Sequence, residues 1–390
     1  MPWIDQFKIR ASYGEVGNDE IAGRRFPYIT LVNTDDNSYS FGEFTNNSAQ
    51  GYRIKTMGTP YLTWEVAKKY DVGVDFSFFN SKITGTIDWF LDKRDDIFMK
   101  RNQMPLTTGL ADQTPMANVG KMKSYGWDGN IAYTQRIGEV NLQLRANFTY
   151  QTTDVIDKDE AANELWYKMD KGFQLNQSRG LIALGLFENQ EDIDRSPSQK
   201  ALSNKTILPG DIKYKDQNGD GKLTDIDKIA VKNSSNPEMT MSLRLGVKYK
   251  GFFVNAMFQG VSGYQQQLTE LYTLESGSLQ RFQKYHLTDT WSESNMNATY
   301  PRVKIANTND NNRKASTFWV KDCDFIRLKS LSVGYALPVS VLKKIKLSSA
   351  SISLQGSNLC TWSTLKDMDP ESLRGYPIQR SYGMTLNLGF

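Results

Sequence analysis

The side chains best placed to do chemistry lie in one stretch of the sequence, from Asp216 to Asp227. Oxygen-bearing side chains stand at its first, third and fifth positions, Gly221 at the sixth and a carboxylate at the twelfth. Calcium-binding loops have this spacing, because hard oxygen ligands must surround the ion while a glycine permits the sharp turn. The predicted ligands are Asp216, Asn218, Asp220, Lys222, Thr224 and Asp227.

The same stretch is also typical of a turn that binds no metal. Asp, Asn and Gly favour tight turns because they bond to the local backbone or leave it unhindered. The twelfth residue, Asp227, reaches less far than the Glu that is usual in calcium loops. Ile212–Tyr214 predicts a strand before the stretch, where a helix would flank such a loop. Both interpretations stay open, and bound Ca²⁺ would brace the connection 156–238 without catalysing a reaction.

Other reactive constellations are weak. The carboxylates between Glu188 and Asp194 have the residue types of a glycoside-hydrolysing pair, but the segment predicts a short helix with a solvated acidic face. The sequence has 1 His and 2 Cys, which excludes a His-rich metal site and a disulfide scaffold. We therefore predict no catalytic residues and no required cofactor.

Cys323 and Cys360 are the two cysteines. They lie on neighbouring predicted strands at similar distances from the turn near Val341, so a disulfide between them is an expectation in an oxidising compartment. A one-residue change of register would turn one thiol to the other face of the sheet.

Alternation of apolar and polar residues with a period of two is the main pattern of the chain. Between 141 and 150 the even-numbered residues are apolar and the odd-numbered ones are polar. The odd-numbered residues of 241–249 and the even-numbered residues of 382–390 are apolar in the same way. Because side chains of a strand point alternately to the two faces of a sheet, each segment has one apolar and one polar face.

About ten such segments are long enough to cross a bilayer when tilted, which takes roughly 9–11 residues. The predicted strands are 5–15, 64–79, 82–98, 119–136, 139–155, 239–249, 251–264, 317–336, 346–359 and 379–390. Near Lys329 and Ser330 the apolar residues change phase, which predicts a β-bulge. Short turns and long polar connections strictly alternate between the strands, and 156–238 is one of the long ones.

This alternation of connections favours a membrane barrel, which has short periplasmic turns and long extracellular loops. The apolar face would then meet outer-membrane lipid and the polar face a watery lumen, with Asp75, Arg145, Arg244 and Lys248 as candidate lumen-lining residues. The alternative is a secreted carbohydrate-binding or adhesive β-rich protein, in which the apolar face is buried in a protein core.

Composition excludes other classes. The 47 basic and 43 acidic side chains give a formal net charge of +4 without a basic cluster, so nucleic acid is not an expected partner. No apolar run reaches the roughly 18 residues of a transmembrane helix. Residues 1–6 lack the basic and apolar regions of a secretory signal peptide.

Several segments resemble the SusC/RagA-like family of TonB-linked outer-membrane transporters. The similar segments follow one another in order over nearly the whole chain: Phe7–Asn18, Leu62–Glu65, Val72–Asp75, Thr84–Asp88, Val119–Asp128, Phe318–Lys329, Leu331–Pro338, Gly356–Leu359, Met368–Glu371 and the closing strand that ends in Phe390.

The resemblance implies an all-β fold: about ten C-terminal strands of a transmembrane antiparallel β-barrel. Residues 1–390 would be the C-terminal part of a TonB-dependent receptor, whose plug, TonB-contacting segment and signal peptide lie outside this sequence. Such receptors import oligosaccharides or peptides with a SusD-like surface lipoprotein, driven by the TonB complex. Phe390 resembles the terminal aromatic residue by which the barrel-assembly machinery recognises its clients. The resemblance places the protein in the outer membrane of a Gram-negative bacterium.

Overall fold

The computed structural model describes most of the chain. The described residues are 3–19, 26–42, 47–101, 103, 107, 115–161, 164–202, 206–232, 236–268, 287–303, 311–365, 368–373 and 375–390. Among them, no helix is long and apolar enough to cross a membrane.

Strands predominate among the described elements. In chain order they are β1 (Ile4–Asn18), β2 (Leu31–Phe41), β3 (Asn47–Thr56), β4 (Glu65–Phe78), β5 (Ile83–Lys100), β6 (Met116–Ile137), β7 (Val140–Asp157), β8 (Ser178–Gly180), β9 (Ala183–Leu186), β10 (Ile212–Tyr214), β11 (Ile229–Lys232), β12 (Met239–Tyr249), β13 (Phe252–Ser262), β14 (Gln265–Gln267), β15 (Val320–Asp322), β16 (Phe325–Ala336), β17 (Ser349–Ser363) and β18 (Ser381–Gly389). The helices with defined bounds are α1 (Gln190–Arg195) and α2 (Val339–Lys344), with 3-10 turns at Asp225–Asp227 and Asn311–Arg313.

Ten of these strands form one sheet, in the order β1-β4-β5-β6-β7-β12-β13-β16-β17-β18. The pairs with a defined register, such as β1 with β4 and β17 with β18, are antiparallel. The remaining strands pair separately, two by two, within the long connections. Each of the ten predicted strands corresponds to one strand of this sheet, so the predicted antiparallel all-β architecture is confirmed.

The tight turns use residues that tolerate a left-handed backbone. Asn80 follows β4 with a φ of 58°, and Gly138 follows β6 with a φ of 59°. Lys250 and Gly251, between β12 and β13, have φ values of 46° and 88°. Only two to four residues therefore reverse the chain at these ends, while the opposite strand ends lead into the long connections.

Two predicted elements differ from the structure. The strand predicted for 317–336 is divided: β15 pairs with β14 outside the large sheet, and β16 begins only at Phe325. Asp324 occupies the break, where its carboxylate accepts bonds from the Tyr264 N–H at 2.9 Å and the Ser262 hydroxyl at 2.9 Å. The turn predicted after Pro338 is the helix α2.

The predicted bulge is confirmed. Met257 pairs with Ser330 and Phe258 with Leu328, so Lys329 has no opposite residue on β13. The extra residue restores the alternation, because apolar side chains before and after it then face the same side of the sheet.

Contacts divide the chain into two compact units. Unit 1 contains Met1–Ala132 and Phe148–Leu175, and unit 2 contains Tyr133–Asn147 and Asn176–Phe390. Unit 2 has a core of its own, built by residues of the long connections and called here the loop core. Its members are Leu181, Leu202, Ile212, Tyr214, Leu223, Leu268, Tyr300, Trp319, Cys323 and Leu365.

The apolar face of the unit 2 strands is exposed. On β17 and β18, Leu354 lies opposite Met384 and Ile352 opposite Leu386. Leu354 and Met384 keep 65% and 69% of their surface accessible. A contiguous apolar band of this kind does not remain bare on a water-soluble protein, so it indicates a face covered by an apolar medium.

The membrane interpretation makes a prediction for this face. Replacing Leu354 by Arg should destabilise the lipid-inserted protein by about 2–4 kcal/mol, because a guanidinium would be buried in hydrocarbon. The matched control is Gln355→Arg, one residue further on the polar face, which should change stability little. Equilibrium unfolding from lipid vesicles measures both. Equal effects at the two positions would contradict a lipid-facing Leu354.

Candidate functional site

A charged network lies on the polar face of unit 1. The Arg10 Nε atom of β1 is 2.9 Å from Asp75 Oδ2 of β4, and another guanidinium nitrogen is 2.8 Å from Asp88 Oδ1 of β5. The Thr86 hydroxyl also donates to Asp75, at 3.3 Å. One arginine therefore links three neighbouring strands on the same face.

Gly73 makes this network sterically feasible. It lies opposite Arg10 on β1 and opposite Asp88 on β5. A Cβ atom at Gly73 would be 1.9 Å from Asp88 Oδ1 and 2.7 Å from an Arg10 guanidinium nitrogen. The absent side chain thus leaves the space in which guanidinium and carboxylate meet.

The polar face of the unit 2 strands carries positive charge, whereas the charges of the Arg10 network in unit 1 are paired. Asn147 of β7 donates to the Ser242 hydroxyl of β12 at 3.1 Å, and a Cβ atom at Gly246 would be 3.6 Å from Gln143 Cβ. In antiparallel strands, these two contacts place Arg145 opposite Arg244. Like charges directly opposite each other destabilise a sheet unless an anion lies near them.

Among the described strand residues of unit 2, no carboxylate offsets these cations. Strands β12, β13, β16, β17 and β18 contain no Asp or Glu, and neither do residues 140–147. Arg145, Arg244 and Lys248 are all exposed. Asp75, the fourth predicted lumen-lining residue, accepts a bond from Arg10 on the polar face of unit 1. The polar strand face of unit 2 therefore favours anionic groups.

Buried polar side chains fix the long connections of unit 2. Asp211 is fully buried, and its carboxylate accepts bonds from Arg302 Nε at 2.6 Å, Asn312 Nδ2 at 3.1 Å and the Leu208 N–H at 3.0 Å. Asn312 Oδ1 in turn accepts the N–H of Ile212 at 2.8 Å. These bonds join segments about 100 residues apart in sequence.

A second part of the network surrounds Tyr214 of β10. Gln199 donates to Asn311 Oδ1 at 2.7 Å and accepts the Tyr214 N–H at 2.8 Å. The Tyr214 hydroxyl donates to the Asn311 carbonyl at 2.6 Å. Burial raises the pKa of Tyr214, so this hydroxyl remains a donor at physiological pH.

The carboxylates of the calcium-like stretch bond to the backbone. Asp216 accepts the N–H of Gly219 at 2.7 Å and of Gly221 at 2.8 Å. Asp227 accepts the N–H of Gln217 at 2.9 Å and of Thr224 at 2.7 Å. Every oxygen of these two carboxylates already has a backbone donor, which favours the metal-free turn.

The other predicted ligands follow the same pattern. Asn218 accepts the Asp220 N–H at 3.1 Å, and Asp220 accepts the Lys222 N–H at 2.8 Å. Thr224 caps the 3-10 turn that ends at Asp227. Within the described residues there is no group of three or more His, Cys, Asp or Glu side chains placed to hold a metal ion. Calcium binding at this stretch stays a prediction.

The proposed disulfide is wrong. The two thiols are not joined: Cys323 is buried in the loop core, while Cys360 is exposed on β17. Cys360 lies opposite Leu328, five residues along the chain from Cys323. The prediction treated 317–336 as one strand, but the chain breaks at Asp324, and the Cys323 N–H donates to the Tyr264 carbonyl at 2.7 Å instead.

Glu191, Asp192 and Asp194 lie on the short helix α1, as predicted, and Glu188 precedes its N-cap. Asn189 caps this helix through the Asp192 N–H at 2.9 Å. Asp192 is 2.6 Å from Lys213 Nζ, and Glu191 pairs with Arg195. A cavity of about 640 Å³ lies against the helix, lined by Phe187, Gln190, Ile193, Asp194 and Gln199 among others.

Comparison with known proteins identifies the family. The family model "TonB dependent receptor-like, beta-barrel" matches residues 2–359. The chain belongs to this family.

Individual relatives agree with that assignment. TonB-dependent receptor P3 of Formosa agariphila is 25% identical over 99% of this chain and 40% of its own length. TonB-dependent receptor SusC of Bacteroides thetaiotaomicron is 22% identical over 99% of this chain and 38% of its own length. The RagAB peptide importer in its closed-closed state superposes with a TM-score of 0.66, at 22% identity, over the whole chain and 41% of the matched chain.

The chain thus spans about two fifths of the length of these receptors. The predicted SusC/RagA-like resemblance and the outer-membrane location are confirmed. We therefore expect the exposed apolar band of this TonB-dependent receptor-like barrel to be its lipid face. The named relatives are TonB-dependent receptors and a peptide importer.

Two segments that carried the resemblance contact each other in the barrel. Arg327 of β16 is almost fully buried, 2.6 Å from Asp369 Oδ1 and 3.5 Å from Glu371 Oε2. Lys329 is 2.9 Å from Glu371. Burial would raise the pKa of Asp369, but the bonds from Arg327 and the Glu371 N–H hold it below its usual value. The sequence showed both segments but not that they pair.

The buried ion pair between Asp211 and Arg302 gives a prediction for stability. Asp211→Asn should destabilise the loop core by about 3 kcal/mol, because Arg302 would keep its charge without a carboxylate partner. The control is Asp225→Asn, in an exposed pair with Lys228, which should cost less than about 0.5 kcal/mol. Amide exchange at Ile212 and Tyr214 measures the difference. Unchanged protection in Asp211→Asn would contradict the expected cost of leaving Arg302 without its carboxylate partner.

The turn around Asp216 gives a prediction for how its stability depends on pH and on added Ca²⁺. Burial alone would raise the pKa of Asp216, but the N–H groups of Gly221 and Gly219 lower it below 3.8. Its contribution to stability is therefore complete above about pH 4 and lost as pH falls through the lowered value. Asp216→Asn should speed amide exchange at Gly219 and Gly221 roughly tenfold at neutral pH, through loss of a charge-assisted bond. Slower exchange on adding Ca²⁺ to the unmodified protein would establish the calcium loop instead.

Proposed function

We propose that this chain forms part of a TonB-dependent importer of large nutrients, either oligosaccharides or peptides. The observation that carries the proposal is the alternating ten-stranded sheet, which matches the RagAB peptide importer over its whole length. Similarity to SusC supports the same class of function. Because the chain covers about two fifths of these relatives, its transport activity is that of the complete receptor.

The polar strand faces line the lumen in this proposal. Asp75 acts within the Arg10 network, while Arg145, Arg244 and Lys248 present uncompensated positive charge. Barrels of this size have a plugged lumen. The cationic face then meets acidic groups of the plug or of the passing substrate, and electrostatic attraction is strongest there because the lumen is narrow.

The partners follow from the same class. A SusD-like lipoprotein covers the extracellular side, where the long connections pack around the loop core. The TonB complex supplies energy through a part of the receptor outside this chain. Phe390 follows the last residue of β18 and is 94% exposed, so it is accessible to the barrel-assembly machinery. Ca²⁺, if it binds at Asp216–Asp227, braces a loop and takes no part in transport.

Site-directed spin labelling tests which face of β7 contacts water and which contacts lipid. Two labelled variants, Leu144→Cys and Arg145→Cys, differ by one residue on β7. Both carry Cys323→Ser and Cys360→Ser, so that only the new cysteine of this chain is labelled. In the complete receptor in vesicles, the label at 144 should collide with oxygen in lipid and the label at 145 with a water-soluble nickel complex. The opposite pattern, or no difference, would favour the secreted β-rich protein.

Uptake measurements test the transport step. Cells with the unmodified receptor should accumulate labelled oligosaccharide or peptide, and a protonophore should abolish accumulation because TonB uses the inner-membrane proton gradient. Arg145→Gln with Arg244→Gln should lower accumulation several-fold, whereas Arg195→Gln on the exposed helix α1 is the control. Accumulation that survives the protonophore would refute TonB-dependent import.

A further inference from the structure

The connection between β16 and β17 exposes apolar side chains next to lysines. The helix α2 follows Pro338 and ends where Lys346 adopts a φ of 55° and the Leu347 N–H donates to the Leu342 carbonyl at 3.1 Å. Leu342 is buried beneath the helix, but Val339 and Ile345 are 65% and 48% exposed. Such exposure is unfavourable in water for a helix of this length.

The charge of this connection has one sign. Lys343, Lys344 and Lys346 are all exposed. The sequence has no Asp or Glu between Asp324 and Asp367, so no carboxylate of β16, α2 or β17 offsets the lysines. Lysines in the last turn of a helix are favoured by its dipole, yet that interaction leaves their ammonium groups in solvent.

An aromatic band continues up to the helix. The rings of Phe252 and Tyr335 are 4.6 Å apart, and Tyr249 lies opposite Phe252. Phe390 is 94% exposed, and its carbonyl accepts the hydroxyl of Ser348, 3.3 Å away. Aromatic residues at strand ends mark the level of the lipid headgroups in membrane barrels. The connection therefore lies where the lipid face of the sheet meets water.

We propose that α2 with Ile345 and Lys346 is an interfacial anchor that binds anionic phospholipid headgroups of the periplasmic leaflet. Val339, Val341 and Ile345 enter the boundary of the acyl chains, and the three lysines contact headgroup phosphates. An amphipathic segment that is apolar on one side and rich in lysine on the other binds membrane surfaces in this way. The proposal depends on the outer-membrane location of the family and not on what the receptor transports.

A phospholipid surface fits the connection better than a second copy of the chain. Two copies facing each other through α2 would bring the same lysines together, with no Asp or Glu side chain of the connection to separate them, and like charges repel. Anionic lipids supply the missing negative charge, and their acyl chains cover the exposed valine and isoleucine side chains.

Lipid selectivity of the complete receptor tests the anchor. The variant carries Lys343→Gln, Lys344→Gln and Lys346→Gln, and the control carries Lys200→Gln, Lys215→Gln and Lys222→Gln, the same charge change in the long connection 156–238. Both are reconstituted with phosphatidylglycerol and phosphatidylcholine, and retained lipid is counted by native mass spectrometry. The unmodified receptor and the control should retain phosphatidylglycerol preferentially. In the variant, the ratio of retained phosphatidylglycerol to phosphatidylcholine should fall about tenfold. Equal retention in variant and control would overturn the proposal.

Two further measurements separate a lipid surface from free anions. Excess inorganic phosphate should not displace phosphatidylglycerol; displacement would show that the lysines bind any phosphate and would refute the anchor. Fluorescence of Ile345→Trp should be quenched by lipids brominated near the headgroup and not by aqueous acrylamide. Acrylamide quenching alone would place the helix in water and also refute it. Neither result depends on transport, so each distinguishes failure of the anchor from failure of the proposed function.

Discussion

Lipid offers no hydrogen-bond partner to a backbone N–H or carbonyl group, and this constraint determines the architecture of the chain. Every strand that turns apolar side chains to lipid must satisfy its polar backbone through neighbouring strands. In the described ten-stranded sheet, the eight inner strands each have a neighbour on both sides. Strands β1 and β18 stand at the two ends of the order. In a membrane, the outer edges of those two strands must likewise be paired with strands.

The same constraint leaves the polar face free to vary. In unit 1, Asp75 and Asp88 surround Arg10 on strands β1, β4 and β5, and Gly73 provides the space for their contact. In unit 2, the strand residues include Arg145 and Arg244 without an acidic neighbour. A charge that is paired within its own face mainly stabilises the sheet, whereas an unpaired charge remains available to a ligand or to another domain.

The sequence predicted the large sheet because each of its ten strands repeats the period of two, a local signal. The bulge at Lys329 was predictable for the same reason, since the change of phase occurs within one strand. The divided strand at Asp324 was not, because its cause is the contact with Tyr264, some 60 residues away. The Asp211–Arg302 and Arg327–Asp369 pairs are 91 and 42 residues apart in sequence, so only the fold brings them together.

The long connections show where a barrel of this kind can become specific. Lipid enforces the alternation of the strands, so strand sequences have little freedom to encode a particular ligand. The connections are not under that constraint, and they contain Asp211, Asn311 and Asn312 fully or almost fully buried with their polar atoms bonded. A buried polar network contributes little net stability but disfavours alternative packings, in which the same groups would lose their partners. It can therefore hold long loops in one defined arrangement at the surface where a substrate arrives.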